Sequence, residues 1–314
     1  MRRLTVASIA SNCAAESMRS LYAMQGLRPD FQLIESNGIR IHCAIQGAEN
    51  RHHGTILLLH GFPEFWYGWR HQIADLSSDY RVLAPDLRGF NLSDKPAGVE
   101  NYRVKNIVAD VVGLIAALGN EPVTLVGHDW GGAIAWPVAA FHSALIRRLI
   151  ILNGPHPSTY TREIIFNPQQ RLAAQYIHFL RQRDAALYLA QDNYRRLVRM
   201  AEITGDDVEI YINAWSQPGS LDAQLNYYRA MPFPPPLPDE EVLDPKIPAL
   251  DIETPTLVIW GERDTAILPS NLIALDHYVP NLKIHRIPTA SHWVQHEEPL
   301  EVNSAIRAFL TSTP

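Results

Sequence analysis

The sequence predicts an α/β fold with a mostly parallel central sheet, helices on both faces and an inserted helical cap. Three observations predict it. Short apolar strands alternate with helical patterns over residues 31–154, this alternation stops over residues 155–238, and it resumes over residues 239–314. Strands that alternate with helices are typical of a parallel sheet with right-handed crossovers. We therefore interpret residues 1–30 as an N-terminal extension, 155–238 as the cap, and the rest as a core in two parts.

The first part of the core begins with a predicted hairpin, because Asn37-Gly38 is a strong two-residue turn. The strands that follow are continuous apolar runs, which suit a parallel sheet buried on both faces. Helices are predicted where apolar residues recur at helical spacing, and Gly119 is a favourable end for the first of them. The predicted strands are 31–35, 39–45, 55–59, 81–85, 122–126 and 148–152, and the predicted helices are 104–118 and 131–142.

The inserted segment shows helical patterns and no convincing strand. It contains seven of the twelve tyrosines and ends in a proline cluster between Pro232 and Pro238, which is typical of an extended linker. Strands at 256–260 and 283–287 and helices near 269–277 and 298–310 then complete the core. In such sheets the ligand site lies at the carboxyl ends of the strands, so we expect it under the insertion.

Composition excludes several classes of function. The 314 residues have a net charge of −6, which gives the chain no electrostatic attraction to nucleic acid or anionic lipid. No run of about 18 apolar residues is present, so we expect no membrane span. Cys13 and Cys43 are too few for a disulfide framework or a four-thiolate zinc site, and we expect a reducing, cytoplasmic setting. A targeting peptide is the alternative interpretation of the arginine-bearing residues 1–30.

The segment between the predicted strand at 122–126 and the next helix has the layout of a nucleophile elbow. Gly127 and Gly131 each lie two positions from Asp129, and a tight turn of this kind lifts its central side chain above the sheet. A carboxylate is a poor acyl-transfer nucleophile, but it can displace a leaving group from saturated carbon. The sequence therefore predicts that Asp129 forms an alkyl ester, and a helix-capping role is the simpler alternative.

An ester intermediate needs a general base that activates water, and histidine is the usual base near neutral pH. His292 follows the last predicted strand, and Asp264 follows the strand before it. The order Asp129, Asp264, His292 is the order of nucleophile, acid and histidine in enzymes with such an elbow. The fourth parallel strand ends at Asn153, which carries no charge. We therefore predict Asp264 as the carboxylate that orients His292.

Five segments resemble the motifs of epoxide hydrolases of the α/β-hydrolase fold, and the resemblance covers residues 31–312. It implies that Asp129 attacks an epoxide carbon and that His292 activates the water that releases a vicinal diol. The segments are HGFPEFWYGWR at 60–70, PDLRGF at 85–90, GHDWGG at 127–132, NYYRAMP at 226–232 and SHWVQ at 291–295.

The resemblance also implies two cap tyrosines that activate the epoxide oxygen. The second tyrosine of the NYYR segment is Tyr228, and Tyr176 is the closest match to the other. Tyr160 and Tyr188 are the alternatives to Tyr176. Where the family often continues with Gln-x-Pro after that tyrosine, this chain has LRQR at 180–183.

The remaining site groups are also implied by the resemblance. The backbone N–H groups of Phe62 and Trp130 form the oxyanion hole, and Phe62, Trp130 and Trp293 line the substrate pocket. The chemistry needs no metal and no organic cofactor. No H-E-x-x-H segment is present in the sequence, and His52-His53 lies in a predicted loop.

Other functions remain as alternatives. A dehalogenase of the same fold also uses an aspartate, but haloalkane dehalogenases place Asn where this chain has Phe62. Haloacetate dehalogenases place arginines just after the nucleophile, where this chain has Trp130 and Ala133. A non-catalytic ligand-binding protein is the rival from another class, although all three triad residues are present. We therefore expect a small hydrophobic epoxide and water as the reactants, and a monomer or homodimer.

Overall fold

The structure of the protein is a computed structural model that describes residue 22 and residues 26–242 and 246–312. Most of the predicted N-terminal extension, including Cys13, lies outside the described residues. Across the described part, no helix is both long enough and apolar enough to cross a membrane.

Among the described residues, eight strands form one sheet in the order β1-β2-β4-β3-β5-β6-β7-β8. The strands from β3 to β8 pair in parallel, and β2 pairs in antiparallel fashion with both β1 and β4. The prediction of a mostly parallel α/β sheet is therefore confirmed. The strands are β1 (Asp30–Ser36), β2 (Ile39–Gln46), β3 (Thr55–Leu59), β4 (Arg81–Pro85), β5 (Val123–His128), β6 (Ile146–Leu152), β7 (Thr256–Gly261) and β8 (Leu282–Ile287).

Helices cover the sheet, and the residues described between β6 and β7 include a group of six inserted helices. The helices of the core are α1 (Arg70–Leu76), α2 (Val104–Ala117) and α3 (Trp130–Phe141), followed at the end of the chain by α10 (Val294–Glu297) and α11 (Pro299–Thr311). The inserted helices are α4 (Pro157–Phe166), α5 (Pro168–Ala173), α6 (Tyr176–Leu180), α7 (Ala185–Met200), α8 (Asp207–Trp215) and α9 (Ser220–Arg229).

The core strands are buried because helices cover both faces of the sheet. All residues of β3, β5 and β7 are buried, as expected for central parallel strands made of continuous apolar runs. Their carboxyl ends all open toward the same edge of the sheet. That edge carries the loops that begin at residues 60, 129 and 262.

One predicted helix differs from the structure, and one observed helix was not predicted. The predicted helix at 269–277 is instead two short 3-10 segments, Pro269–Leu272 and Leu275–His277. They are separated at Ala274, whose φ of 56° is left-handed and does not continue a right-handed helix. The helix α1 was not predicted, because its seven residues are too short to show a clear helical period.

Candidate active site

Asp129 lies on a tight turn between β5 and α3. Its backbone has φ 52° and ψ −119°, an unusual conformation for a residue with a side chain. The turn is possible because two glycines allow close backbone approach. A Cβ on Gly127 would lie 2.4 Å from the carbonyl oxygen of Gly131, and a Cβ on Gly131 would lie 2.0 Å from that of Leu59. The elbow predicted from sequence is therefore present as a backbone turn.

The Asp129 carboxylate lies against the loop that follows β3. The backbone N–H of Phe62 donates a hydrogen bond to Asp129 Oδ1 at 2.9 Å. A Cβ on Gly61 would lie only 2.2 Å from the same oxygen, so glycine is needed there. Trp130 is the first residue of α3, where backbone N–H groups have no partner within the helix and the dipole favours negative charge. The carboxylate therefore lies in a site built for an anion.

His292 lies behind the Asp129 carboxylate and is held by Asp264. His292 Nδ1 is 2.7 Å from Asp264 Oδ2, and His292 Nε2 is 3.7 Å from Asp129 Oδ2. Burial lowers the pKa of His292, but the charge of Asp264, its hydrogen bond and the charge of Asp129 together raise that pKa to about 9. The structure thus brings the three side chains together.

The Asp264 carboxylate accepts hydrogen bonds on both oxygens. Oδ1 accepts from the N–H groups of Ala266 at 2.8 Å and Ile267 at 2.9 Å, and Oδ2 accepts from Asn153 Nδ2 at 2.8 Å. Burial raises the pKa of Asp264. The charge of His292, together with these hydrogen bonds, outweighs burial and holds the pKa below its usual value. Asp264 is therefore a fixed anion that orients the imidazole.

Asn153 has a role that the sequence did not indicate. It directly follows β6 with a φ of 37°, and its Oδ1 accepts a hydrogen bond from the Gly261 N–H at 2.8 Å. Because Gly261 is the last residue of β7, Asn153 connects the ends of two neighbouring strands while its amide group contacts Asp264. The uncharged residue at the end of the fourth parallel strand thus donates a hydrogen bond to the predicted acid, Asp264.

A cavity of about 480 Å³ opens above Asp129, between the sheet and the inserted helices. Its wall is mostly apolar, with Trp130, Ile177 and Leu250 among the lining side chains. Apolar walls with a few convergent polar groups are typical of sites for small hydrophobic molecules. The polar side chains of the wall are Asp129, Tyr160, Thr161, Tyr176 and Tyr228. Within the described residues, no cluster of His, Cys, Asp or Glu is arranged to hold a metal ion.

Two tyrosines of the inserted helices pack against each other in this cavity. The ring centroids of Tyr176 and Tyr228 are 6.4 Å apart, and the Tyr228 ring also packs edge-on against Trp130 at 5.3 Å. Burial, a neighbouring phenol (Tyr160 for Tyr176, and Tyr176 for Tyr228) and the charge of Asp129 raise the pKa of both tyrosines well above the usual value. Both phenols are therefore protonated at neutral pH and able to donate hydrogen bonds.

Arg181 fixes the end of the helix that carries Tyr228. Its Nη1 donates to the backbone carbonyl of Tyr228 and, at 3.0 Å, to that of Met231. A cation at a helix C-terminus satisfies carbonyl groups that have no partner within the helix. Arg181 follows α6, so it links the two helices that carry Tyr176 and Tyr228. The sequence showed it only as a departure from the family pattern.

The other predicted site residues divide between the cavity wall and its surroundings. Tyr160 lines the cavity, whereas Tyr188 packs against Phe179 and Arg196 outside it. Trp293 does not line this cavity, because it lies beyond His292 and donates a hydrogen bond to the Met200 carbonyl. The ring of Phe62 is not among the lining side chains either. It packs edge-on against Tyr228 at 5.4 Å.

A buried polar network lies next to the triad and was missed in the sequence. The carboxylate of Glu64 accepts hydrogen bonds from Tyr211 at 3.0 Å and Gln295 at 2.9 Å, and it contacts His296. His128, the residue before Asp129, lies 2.8 Å from the His292 carbonyl through its Nε2 atom. Because Tyr211 belongs to α8, this network connects the inserted helices to the loop that carries His292.

Comparison with known proteins agrees with this architecture. Residues 54–299 match the family model described as alpha/beta hydrolase fold. AB hydrolase superfamily protein YfhM of Bacillus subtilis is 38% identical over 288 residues, which cover 89% of this chain and 97% of that protein.

Two further similar proteins are named as epoxide hydrolases. Epoxide hydrolase 4 of Mus musculus is 35% identical over 291 residues, covering 88% of this chain and 78% of that protein. The solved structure of the Bacillus megaterium epoxide hydrolase in complex with an inhibitor is 37% identical, with a TM-score of 0.80, and the match covers 90% of this chain and 100% of that one. The chain therefore belongs to the α/β-hydrolase fold family, within its group of epoxide hydrolases.

Proposed function

We propose that this protein hydrolyses a hydrophobic epoxide to a vicinal diol through a covalent ester on Asp129. One observation carries the proposal: the Asp129 carboxylate faces two protonated phenols across an apolar cavity, with His292 behind it. A halide leaving group needs no proton, whereas an epoxide oxygen does, so paired phenols favour the epoxide over the dehalogenase alternative. The named relatives support the same assignment.

In the first half-reaction, Tyr228 and Tyr176 donate hydrogen bonds to the epoxide oxygen. Asp129 attacks one ring carbon, a new carbon–oxygen bond forms and the ring carbon–oxygen bond breaks. The released alkoxide takes a proton from a phenol, which is general-acid catalysis. The cap, which we assign to residues 155–238, supplies both phenols and excludes water from the reacting groups.

In the second half-reaction, water attacks the carbonyl carbon of the ester. His292 Nε2 accepts a proton from that water, and Asp264 stabilises the imidazolium that forms. The backbone N–H groups of Phe62 and Trp130 hold the tetrahedral oxyanion. Phe62 N–H already donates to Asp129 Oδ1 in the free structure. Collapse of this intermediate breaks the bond to the diol oxygen, which takes the proton from the His292 imidazolium and leaves as the diol. The Asp129 carboxyl group gives its remaining proton to the phenolate left by the first half-reaction, which restores both the carboxylate and the phenol.

The charges in the site determine in which half-reaction His292 acts as a base. In the free enzyme the charge of Asp129 is one of the causes that raise the pKa of His292 to about 9. Ester formation removes that charge, because the carboxylate becomes a neutral ester. The pKa of His292 then falls toward neutrality. We infer that the histidine becomes an effective base only when there is an ester to hydrolyse.

Replacement of His292 with Gln should trap the ester. The first half-reaction does not need the base, whereas hydrolysis of the ester does, so the covalent species should accumulate. Intact-mass spectrometry after exposure to styrene oxide should show the H292Q protein heavier by one whole epoxide. The D129N/H292Q double variant is the control and should show no adduct. An H292Q protein that binds the epoxide without any covalent adduct would contradict the proposed route.

Loss of either phenol should slow ring opening. We expect Y228F and Y176F each to reduce the rate of ester formation by about 10²-fold, and the double variant by more, because the alkoxide leaves without a proton. Y188F is the matched control outside the cavity and should keep the wild-type rate. Stopped-flow measurement of ester formation checks this. A large effect of Y160F together with none of Y176F would assign the second phenol to Tyr160 instead.

The dependence of the His292 pKa on the neighbouring charges can be tested by titration. Removal of a neighbouring negative charge destabilises the imidazolium, so its pKa should fall in D129N and fall further in D264N, the larger contributor. NMR titration with ring-labelled histidine measures the value in each protein. D129N also reproduces the neutral side chain of the ester state. An unchanged His292 pKa in D129N would rule out the proposed timing.

A further inference from the structure

A small cavity lies at the amino-terminal edge of the sheet, opposite the edge that carries the proposed active site. Its volume is about 80 Å³, and Thr124, Arg147 and Arg148 are among the side chains of its wall. Thr124 of β5 pairs in register with Ile56 of β3 and with Arg148 of β6, so three neighbouring strands build this wall. Pockets for drug-sized molecules measure about 300–1,000 Å³. This cavity therefore has room for one small polar group.

Arg148 is a buried cation that has no carboxylate partner among the described residues. It is only 8% exposed. Its Nη atoms donate to the backbone carbonyls of Phe309 at 2.7 Å and Ser312 at 2.6 Å, and to the Ser312 hydroxyl at 3.4 Å. These bonds leave part of the guanidinium N–H donors without an acceptor in the described part of the chain. Because buried charges are normally paired, Arg148 has both charge and donors available for an anion.

The side chains around this buried cation add positive charge. The guanidinium of Arg147 forms no hydrogen bond or ion pair with any described residue, and a Cβ on the lining residue Gly54 would lie 3.7 Å from its Nη1. Arg81 Nε donates to the hydroxyl of Thr55 at 2.9 Å. Burial and the charge of Arg51 lower the pKa of Arg81. The whole protein has a net charge of −6, so this local group of cations runs against the overall composition.

The wall also has a free hydroxyl and lacks an acid. Thr124 is only 6% exposed, yet its hydroxyl makes no hydrogen bond with any residue that the structure describes, although buried hydroxyls are normally paired. Among the described residues, no Asp or Glu lines the cavity. Asp79 and Glu121 each precede a lining residue in the chain, but Asp79 is paired with Arg307 at 2.7 Å and Glu121 is exposed. A ligand that brings negative charge and acceptor oxygens would satisfy this wall.

We propose that this cavity binds a phosphate dianion, either free phosphate or the head group of a phosphomonoester. Arg147 and Arg148 supply two positive charges, and Thr124 supplies a hydroxyl donor. The planar N–H forks of arginine match the oxygens of phosphate, and a dianion balances two cations where a carboxylate or a chloride balances one. The site lies at the far edge of the sheet from Asp129, so it is a binding function separate from the proposed epoxide chemistry.

Isothermal titration calorimetry of the full chain in phosphate-free buffer, at constant ionic strength, tests this proposal. We expect inorganic phosphate to bind one site with a Kd of about 1 mM or tighter, and acetate to bind at least about tenfold more weakly. Ethyl phosphate separates the two sources of the anion. If it binds as tightly as phosphate, the site accepts the head group of a phosphomonoester. If only inorganic phosphate binds, the site is one for free phosphate.

Variants of the wall connect phosphate binding to this cavity. The Kd for phosphate should rise about tenfold in R147A and further in R147E, while R147K should retain part of the affinity because it keeps the charge without the fork. T124V removes only the hydroxyl, and its Kd should also rise. The matched control is R183A, because Arg183 is exposed and does not line the cavity. It loses the same charge as R147A and should keep the wild-type Kd.

Three results would overturn the phosphate site. The first is a wild-type Kd for phosphate weaker than about 10 mM. The second is a Kd that is the same in R147E and T124V as in the wild type, because phosphate would then bind elsewhere. The third is tighter binding of acetate than of phosphate. Far-UV circular dichroism of each variant establishes that a loss of binding is not a loss of fold. No epoxide is present in these titrations, so their outcome is independent of the proposed function.

Discussion

The site depends on the close approach of the Asp129 carboxylate to the backbone of residues 61 and 62. The hydrogen bond from the Phe62 N–H to Asp129 Oδ1, at 2.9 Å, fixes the direction of the carboxylate. That approach is possible because Gly61 leaves no Cβ in the way and because the elbow glycines permit a left-handed φ at Asp129. The strands β3 and β5 are neighbours in the sheet, so the two loops meet. Any shift of one strand against the other would move the nucleophile away from its donor.

The second constraint is electrostatic, because three titratable groups share a small buried space. Asp264 is held as an anion by hydrogen bonds from Asn153 and from two backbone N–H groups. The charges of Asp264 and Asp129 both favour the imidazolium form of His292. A carboxylate that becomes a neutral ester changes this balance within the same geometry. In our account the protein therefore needs no large movement between its two half-reactions, only a change of charge at one oxygen.

Much of the fold was predictable from the sequence, because continuous apolar runs and helical spacing are local signals. The strands at 55–59 and 81–85 agree with the structure residue for residue. The break in the helix predicted at 269–277 could not be foreseen, because it depends on the left-handed backbone of Ala274 and not on residue composition. The chain order indicated Asp129, Asp264 and His292 as a set, and their side chains lie together in the structure. The contacts of Asn153, Arg181 and Glu64 could not be predicted, because they join residues far apart in sequence through side chains with no distinctive pattern.

The most direct test of the central claim is a single turnover in ¹⁸O-labelled water with enzyme in excess over epoxide. If water attacks the ester carbonyl, the first diol released contains no label, because its new oxygen comes from Asp129. The label should instead appear in the peptide that contains Asp129, as measured by mass spectrometry after digestion. A labelled diol together with an unlabelled Asp129 peptide would mean that water attacks the epoxide directly, and the covalent account would be wrong.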